Sequence, residues 1–227
     1  VGVAECALGL VINVLRDFRN ADEDVRRGDW TRFFKCSFDH QLAGRTVGLI
    51  GFGHIAKALA KMLYGFDCRV LAYDINFDRE TAQKYGVEQA DIDTIRRESD
   101  IISLHVPVLP ETIGMVDMAF LKGMKPTAIL INTGRGKLVK EADLIEALQT
   151  GVIAGAGLDV YETEPLPADS PLTKMKNVFL LPHIAGGTAE AATTTTRMSA
   201  ENVVAFFNNR SVPSILNPEF IHHLKAQ

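Results

Sequence analysis

The chain of 227 residues has few cysteines, little imbalance of charge and no apolar run long enough to cross a membrane. Cys6, Cys36 and Cys68 are scattered and form no CxxC pair. That usage argues against a disulfide framework and against a zinc site, so no metal is expected, and it suits a reducing compartment. The longest early apolar run, ALGLVINVL, is too short for a bilayer span and has no basic leader before it. No membrane association is expected, and the cytoplasm is the default location. A net charge of −4 without a Lys/Arg stripe gives no reason to expect nucleic acid. Arg26-Arg27 sits among acidic residues and reads as a solvated helix end.

What is present is ordinary globular material, 47% hydrophobic and 23% charged, enough for a sizeable core. The first thirty residues read as one long helix, with Ala7, Leu8, Val11, Leu15 and Phe18 on one face and Leu10 and Val14 broadening it. A helix apolar most of the way round should be covered on more than one side. The segment from Ala4 to Phe18 is therefore expected to lie between its own domain and a second subunit in a homodimer.

From residue 46 the pattern changes to short β-rich runs, TVGLIG, CRVLAYD, DIISLHV, AILINT, IAGAGLDV and NVFLL. Helical patterns fall between them at HIAKALAKMLYG, RETAQKYG, MAFLK and KEADLIEALQTG, and a final helix ends near ENVVAFFNN. Nearly continuous Val, Ile and Leu strands, each followed by a helix, indicate a parallel sheet covered on both faces, the doubly wound α/β class. Residues 1–190 are expected to form the nucleotide-binding domain, and 191–227 a carboxyl-terminal helix and tail.

Gly51-x-Gly53-x-x-Ala56 lies between a strand and a helix. Gly51 allows the tight turn, Gly53 lets backbone approach a pyrophosphate, and Ala56 lets the helix pack close. The next strand ends in Asp74, at about the 20-residue distance where the dinucleotide fingerprint wants an acid. A carboxylate there accepts from both ribose hydroxyls and repels a 2′-phosphate. No arginine follows in Ile75-Asn76-Phe77, so NAD is favoured over NADP.

In such a sheet ligands bind beyond the carboxyl ends of the strands. AILINT delivers Thr133-Gly134-Arg135-Gly136 there, GAGLDV delivers Asp159 and then Glu164-Pro165, and NVFLL delivers Pro182-His183. Histidine can take or give a proton near neutral pH, and Glu164 can orient its ring. Arg135, flanked by glycines, offers a planar fork for a substrate carboxylate. The set describes a 2-hydroxy acid oxidised by hydride transfer to a nicotinamide, with Asp159 available to accept from the carboxamide.

The blocks LAGRTVGLIGFGHIAKALA, HVPVLPETIGMV, LINTGRGKLV, GAGLDVYETEP and LPHIAGGT, in order from about residue 4 to 190, resemble the NAD domain of the D-isomer-specific 2-hydroxyacid dehydrogenases. The resemblance implies that Arg135 binds the substrate carboxylate while His183 and Glu164 form the acid–base pair. It further implies cofactor contacts from His54 and Ile55 at the pyrophosphate, Asp74 at the ribose, Val106 and Pro107 along the cofactor, and Asp159 at the nicotinamide. Thr112, Thr133, Gly134 and Gly186 would line the same groove. Glu164 speaks against the formate-oxidising branch, which pairs its histidine with glutamine. Members of the family begin with a substrate domain ahead of this point, and the tail after Asn208 would return to it. The chain alone is thus expected to bind NAD and to turn over little. The partner expected is a small 2-hydroxy or 2-oxo acid, with a lean toward hydroxypyruvate or phosphoglycerate. An NAD-sensing corepressor of the same fold is the alternative, and an L-lactate, malate or homocysteine-adduct enzyme a more distant one.

Overall fold

The computed structural model describes residues 1–34, 39–208 and 210–212; Cys36 and the tail beyond 212 lie outside them. The elements run α1 (Gly2–Arg16), α2 (Phe18–Arg26), α3 (Thr31–Phe34), β1 (Thr46–Ile50), α4 (His54–Leu63), β2 (Arg69–Tyr73), α5 (Arg79–Lys84) and β3 (Val87–Gln89). They continue α6 (Ile92–Glu98), β4 (Ile101–Leu104), α7 (Met118–Lys122), β5 (Ile129–Asn132), α8 (Glu141–Gln149), β6 (Gly155–Leu158), β7 (Val178–Leu180) and α9 (Ala189–Phe207). The chain divides into two compact units, Val1–Ala185 and Gly186–Gln227.

In the first unit the described strands form one parallel sheet in the order β3-β2-β1-β4-β5-β6-β7. The doubly wound class expected from the sequence is the class observed. Strand order reverses between β1 and β4, which opens a crevice beyond their carboxyl ends. Alternate residues of each strand feed opposite faces. Val47 and Leu49 join α1 and α4 in one core, while Ile50, Ile102 and Leu130 join α6, α7 and α8 in the other. Both faces are dry, which is why these strands read as unbroken Val, Ile and Leu.

Three elements escape the sequence pattern, the first being α3, a four-residue helix that buries nothing. β3 is a three-residue edge strand with only Val87 buried, too short for periodicity to register. α6 is mostly polar and starts on a cap, the Asp91 carboxylate accepting from the Thr94 N–H at 2.6 Å.

The expected single long helix is corrected to two. Asp17 takes the left-handed conformation (φ 47°), and its N–H bonds back to the Asn13 carbonyl, ending α1. Aspartate tolerates that region better than most side chains. The break falls where the apolar stripe stops, because α2 buries no residue at all. The buried face of α1 is also corrected. Ala4, Ala7, Leu10, Val11 and Leu15 are buried against the sheet and α4, whereas Leu8 is half-buried and Phe18 lies exposed on α2. Most of the face assigned to a dimer contact is therefore covered by the protein's own core.

In the second unit the Thr188 hydroxyl caps α9 by accepting from the Ala191 N–H at 3.1 Å. Thr193 to Thr196 lie within that helix.

Candidate functional site

The crevice begins at the turn between β1 and α4. Gly51 has φ 95°, and a Cβ there would stand 2.6 Å from the His105 carbonyl oxygen at the end of β4. Only glycine fits both demands. Gly53 precedes α4, no side chain caps that helix, and nothing lies within 4 Å of the position a Cβ at Gly53 would occupy. His54 and Ile55, the first helical residues, are exposed, while Ala56 is fully buried under the helix. The turn thus presents unsatisfied N–H groups to open space, the arrangement that receives a phosphate. Asp74, just beyond β2, folds back on this turn. One of its oxygens accepts from the Phe52 N–H at 2.6 Å and the other from the Asn76 N–H at 2.8 Å.

Beyond β4 the chain runs through half-buried Val106 and exposed Pro107. The Thr112 hydroxyl closes this loop on itself, donating to the Pro107 carbonyl at 2.7 Å and accepting from the Leu109 N–H at 2.8 Å. The structure therefore gives that side chain a local duty. His105, which sequence reasoning passed over, bonds the Ser103 hydroxyl through Nε2 at 2.9 Å. Burial lowers its pKa to about 4, which keeps the floor of the crevice uncharged.

At the end of β5, buried Asn132 organises the turn that carries Arg135. Its Oδ1 accepts from the Gly134 N–H at 3.0 Å and its Nδ2 donates to the Arg135 carbonyl at 2.9 Å. The guanidinium is exposed, with Nη1 donating to the Gly134 carbonyl at 2.8 Å. Thr133 is buried, and its hydroxyl has no partner among the described residues. A buried polar atom left open at a strand end asks for a ligand. Gly136 lies so tightly against the Tyr161 backbone that a Cβ would overlap the carbonyl, joining the Arg135 turn to the segment after β6.

That segment builds the centre of the site. Glu164 accepts from the Tyr161 N–H at 3.0 Å through Oε1, and Oε2 lies 2.7 Å from Nδ1 of His183. Although partial desolvation pushes its pKa up, the bonds from His183 and Tyr161 and the charge of Arg135 outweigh it and hold Glu164 below its ordinary range. The Tyr161 hydroxyl donates to the Leu181 carbonyl at 2.7 Å, two residues before His183. Fully buried Asp159 accepts from the Ile184 and Ala185 N–H groups at 2.8 and 2.9 Å. These bonds fix both sides of His183, which sits at φ 56°, an uncommon conformation for a non-glycine residue.

Arg135, Glu164 and His183 thus leave three strands at one edge, as their sequence positions required. Both oxygens of Asp159 hold the histidine loop, so orienting that loop is its visible task. Gly186 is exposed and belongs to the second unit. Sequence reasoning missed Asn132 and Tyr161. Both stand at the strand ends it had identified, but each acts through the backbone, which residue type alone does not reveal.

A family model described as D-isomer specific 2-hydroxyacid dehydrogenase, NAD binding domain, matches residues 8–185. The chain belongs to this family. Among curated relatives, a glyoxylate reductase of Thermofilum pendens is 43% identical, over 96% of this chain and 66% of the relative. A D-3-phosphoglycerate dehydrogenase of Archaeoglobus fulgidus is 38% identical over 96% of this chain and 41% of its own length. Among solved structures, D-lactate dehydrogenase with NAD+ from Lactobacillus jensenii matches with a TM-score of 0.86 at 33% identity, covering 95% of this chain and 68% of that one. The chain accordingly spans no more than about two thirds of these dehydrogenases, the part that carries the dinucleotide groove.

Proposed function

We propose that this chain is the coenzyme-binding part of an NAD-dependent D-2-hydroxyacid dehydrogenase that interconverts a small 2-hydroxy acid and its 2-oxo acid. Gly51, Gly53, His54 and Ile55 would receive the pyrophosphate, Asp74 the ribose hydroxyls, and Thr133 and Gly134 the nicotinamide half; Val106 and Pro107 would flank the cofactor. The bound nicotinamide supplies the hydride acceptor or donor. The open Thr133 hydroxyl and the clear space above Gly53 support that fit.

The chain's own residues handle the proton and the substrate charge. His183 takes the hydroxyl proton through Nε2 during oxidation and returns it during reduction. Glu164 on Nδ1 fixes the ring and compensates the positive charge it gains with the proton. Arg135 anchors the substrate carboxylate through its planar fork. One observation carries the reading: the 2.7 Å contact between Glu164 and His183, made on a carboxylate that Arg135 also reaches electrostatically. Relatives named glyoxylate reductase favour a short 2-oxo acid, with hydroxypyruvate next.

The test is a panel of glyoxylate, hydroxypyruvate, pyruvate and phosphohydroxypyruvate offered with NADH to the full-length protein containing this chain. We expect turnover with at least one, and the D enantiomer where the product is chiral. An L product would overturn the reading.

For the dimer, the exposed side chains of Phe18, Val25, Trp30, Phe33 and Phe34 shift the proposed contact from α1 to the α2–α3 segment. Sedimentation of the full-length protein as a monomer at micromolar concentration would contradict this. A cytoplasmic setting fits the free thiols of Cys6 and Cys68.

A further inference from the structure

The ribose task of Asp74 leaves a second carboxylate in the same loop unexplained. Asp78 caps α5, accepting from the Thr81 N–H at 3.0 Å and from the Thr81 hydroxyl at 2.8 Å. It also accepts from the Lys57 ammonium at 2.6 Å. Lys57 lies in α4, the helix whose first turn faces the proposed pyrophosphate position. Between the two carboxylates, Phe77 stacks on Phe52 of the glycine turn at 5.2 Å between ring centres. Asp74 grips the Phe52 N–H at the other end. The loop is therefore folded onto the turn and helix at both ends.

This folding brings Asp74 onto the glycine turn and Asp78 onto Lys57, beside which Lys61, Glu80 and Lys84 line the same hollow. Arg79, the first residue of α5, is exposed and makes no ion pair among the described residues. Lys57 is within reach of the loop but is already neutralised. Capping alone does not require the charge on residue 78, because asparagine caps a helix about as well as aspartate. The hydrogen bond from Lys57, with those from Thr81, holds the Asp78 carboxyl well below the usual carboxylate range, so it is ionised at any working pH.

A 2′-phosphate would bring about −1.5 to −2 charges to this loop and would need cations to receive it. We propose that the Lys57–Asp78 pair is a coenzyme-selecting device: Asp78 occupies Lys57 and closes a latent 2′-phosphate site, so two carboxylates rather than Asp74 alone exclude NADP. This rests on the dinucleotide reading above.

The experiment titrates NADH and NADPH fluorescence against the chain and its variants, taking the ratio of the two affinities as the readout. Asp78→Asn keeps the cap and removes the charge. It is expected to shift the ratio toward NADPH by about three- to tenfold, with the shift shrinking in high salt. Lys57→Gln should move the ratio the other way, and Lys57→Gln combined with Asp78→Asn should lose the gain. If the pair merely pins α5 to α4, both coenzymes weaken together and the ratio stays within about twofold, which overturns the proposal. A gain that persists in the double variant overturns it as well. Failure of the unaltered chain to bind NADH would overturn the dinucleotide reading itself, and this inference with it.

Discussion

Nδ1 of His183 lies 2.7 Å from Oε2 of Glu164, while the opposite oxygen of Glu164 holds the Tyr161 N–H at 3.0 Å. The carboxylate is thus oriented before it orients the imidazole, and a proton on Nδ1 directed at Glu164 leaves Nε2 for the proposed substrate. Glu164→Gln keeps the shape and removes the charge. The full-length enzyme carrying it should lose about 10²-fold or more in kcat/KM for its 2-oxo acid. Steady-state kinetics, read beside an NADH titration that stays nearly unchanged, checks this.

Asp159 is expected to matter for stability as well as rate. Asp159→Ala leaves the Ile184 and Ala185 N–H groups without their acceptor and releases the strained backbone at His183. A loss of roughly 2 to 4 kcal/mol follows from two buried, charge-assisted bonds. Urea unfolding of the chain measures it.

The two glycines of the turn should separate folding from binding. Gly51→Ala forces a side chain to φ 95° and to 2.6 Å from the His105 carbonyl, so it should cost about 1 to 3 kcal/mol and weaken NADH binding. Gly53→Ala meets nothing within 4 Å in the protein, so stability should change by less than about 1 kcal/mol. Its methyl group nevertheless enters the space proposed for the pyrophosphate. Paired melting curves and NADH titrations distinguish the two outcomes.

The sheet was legible because a dry two-faced sheet leaves continuous Val, Ile and Leu in its strands. The gathering of Arg135, Asp159, Glu164 and His183 at one edge was legible because each follows a strand end. β3 was not, since a three-residue edge strand carries no period, nor was the break at Asp17, which is a single left-handed residue. The supporting bonds of Asn132, Tyr161 and Asp159 were hidden for another reason. Each is made to or from a backbone group, locally at Asn132 and across 20 or more residues at the Tyr161 hydroxyl and Asp159, and composition and spacing encode neither.

His105 predicts a particular pH dependence. Its folded pKa is depressed to about 4 from an ordinary 6.5. As pH falls through that window the unfolded chain binds a proton that the folded one refuses, so stability drops toward acid. Roughly 1 to 3 kcal/mol should be lost between pH 6.5 and 4, and His105→Asn should flatten that part of the curve. Unfolding free energies across that range, for the chain and the variant, provide the check.

The central claim is that His183 moves the proton while the groove around it holds NAD. Its most direct test is the rate of NADH consumption at saturating glyoxylate or hydroxypyruvate by the full-length protein and by its His183→Gln form. The account predicts a fall of about 10²- to 10⁴-fold in kcat with NADH affinity largely retained. A variant that keeps most of its rate would contradict it.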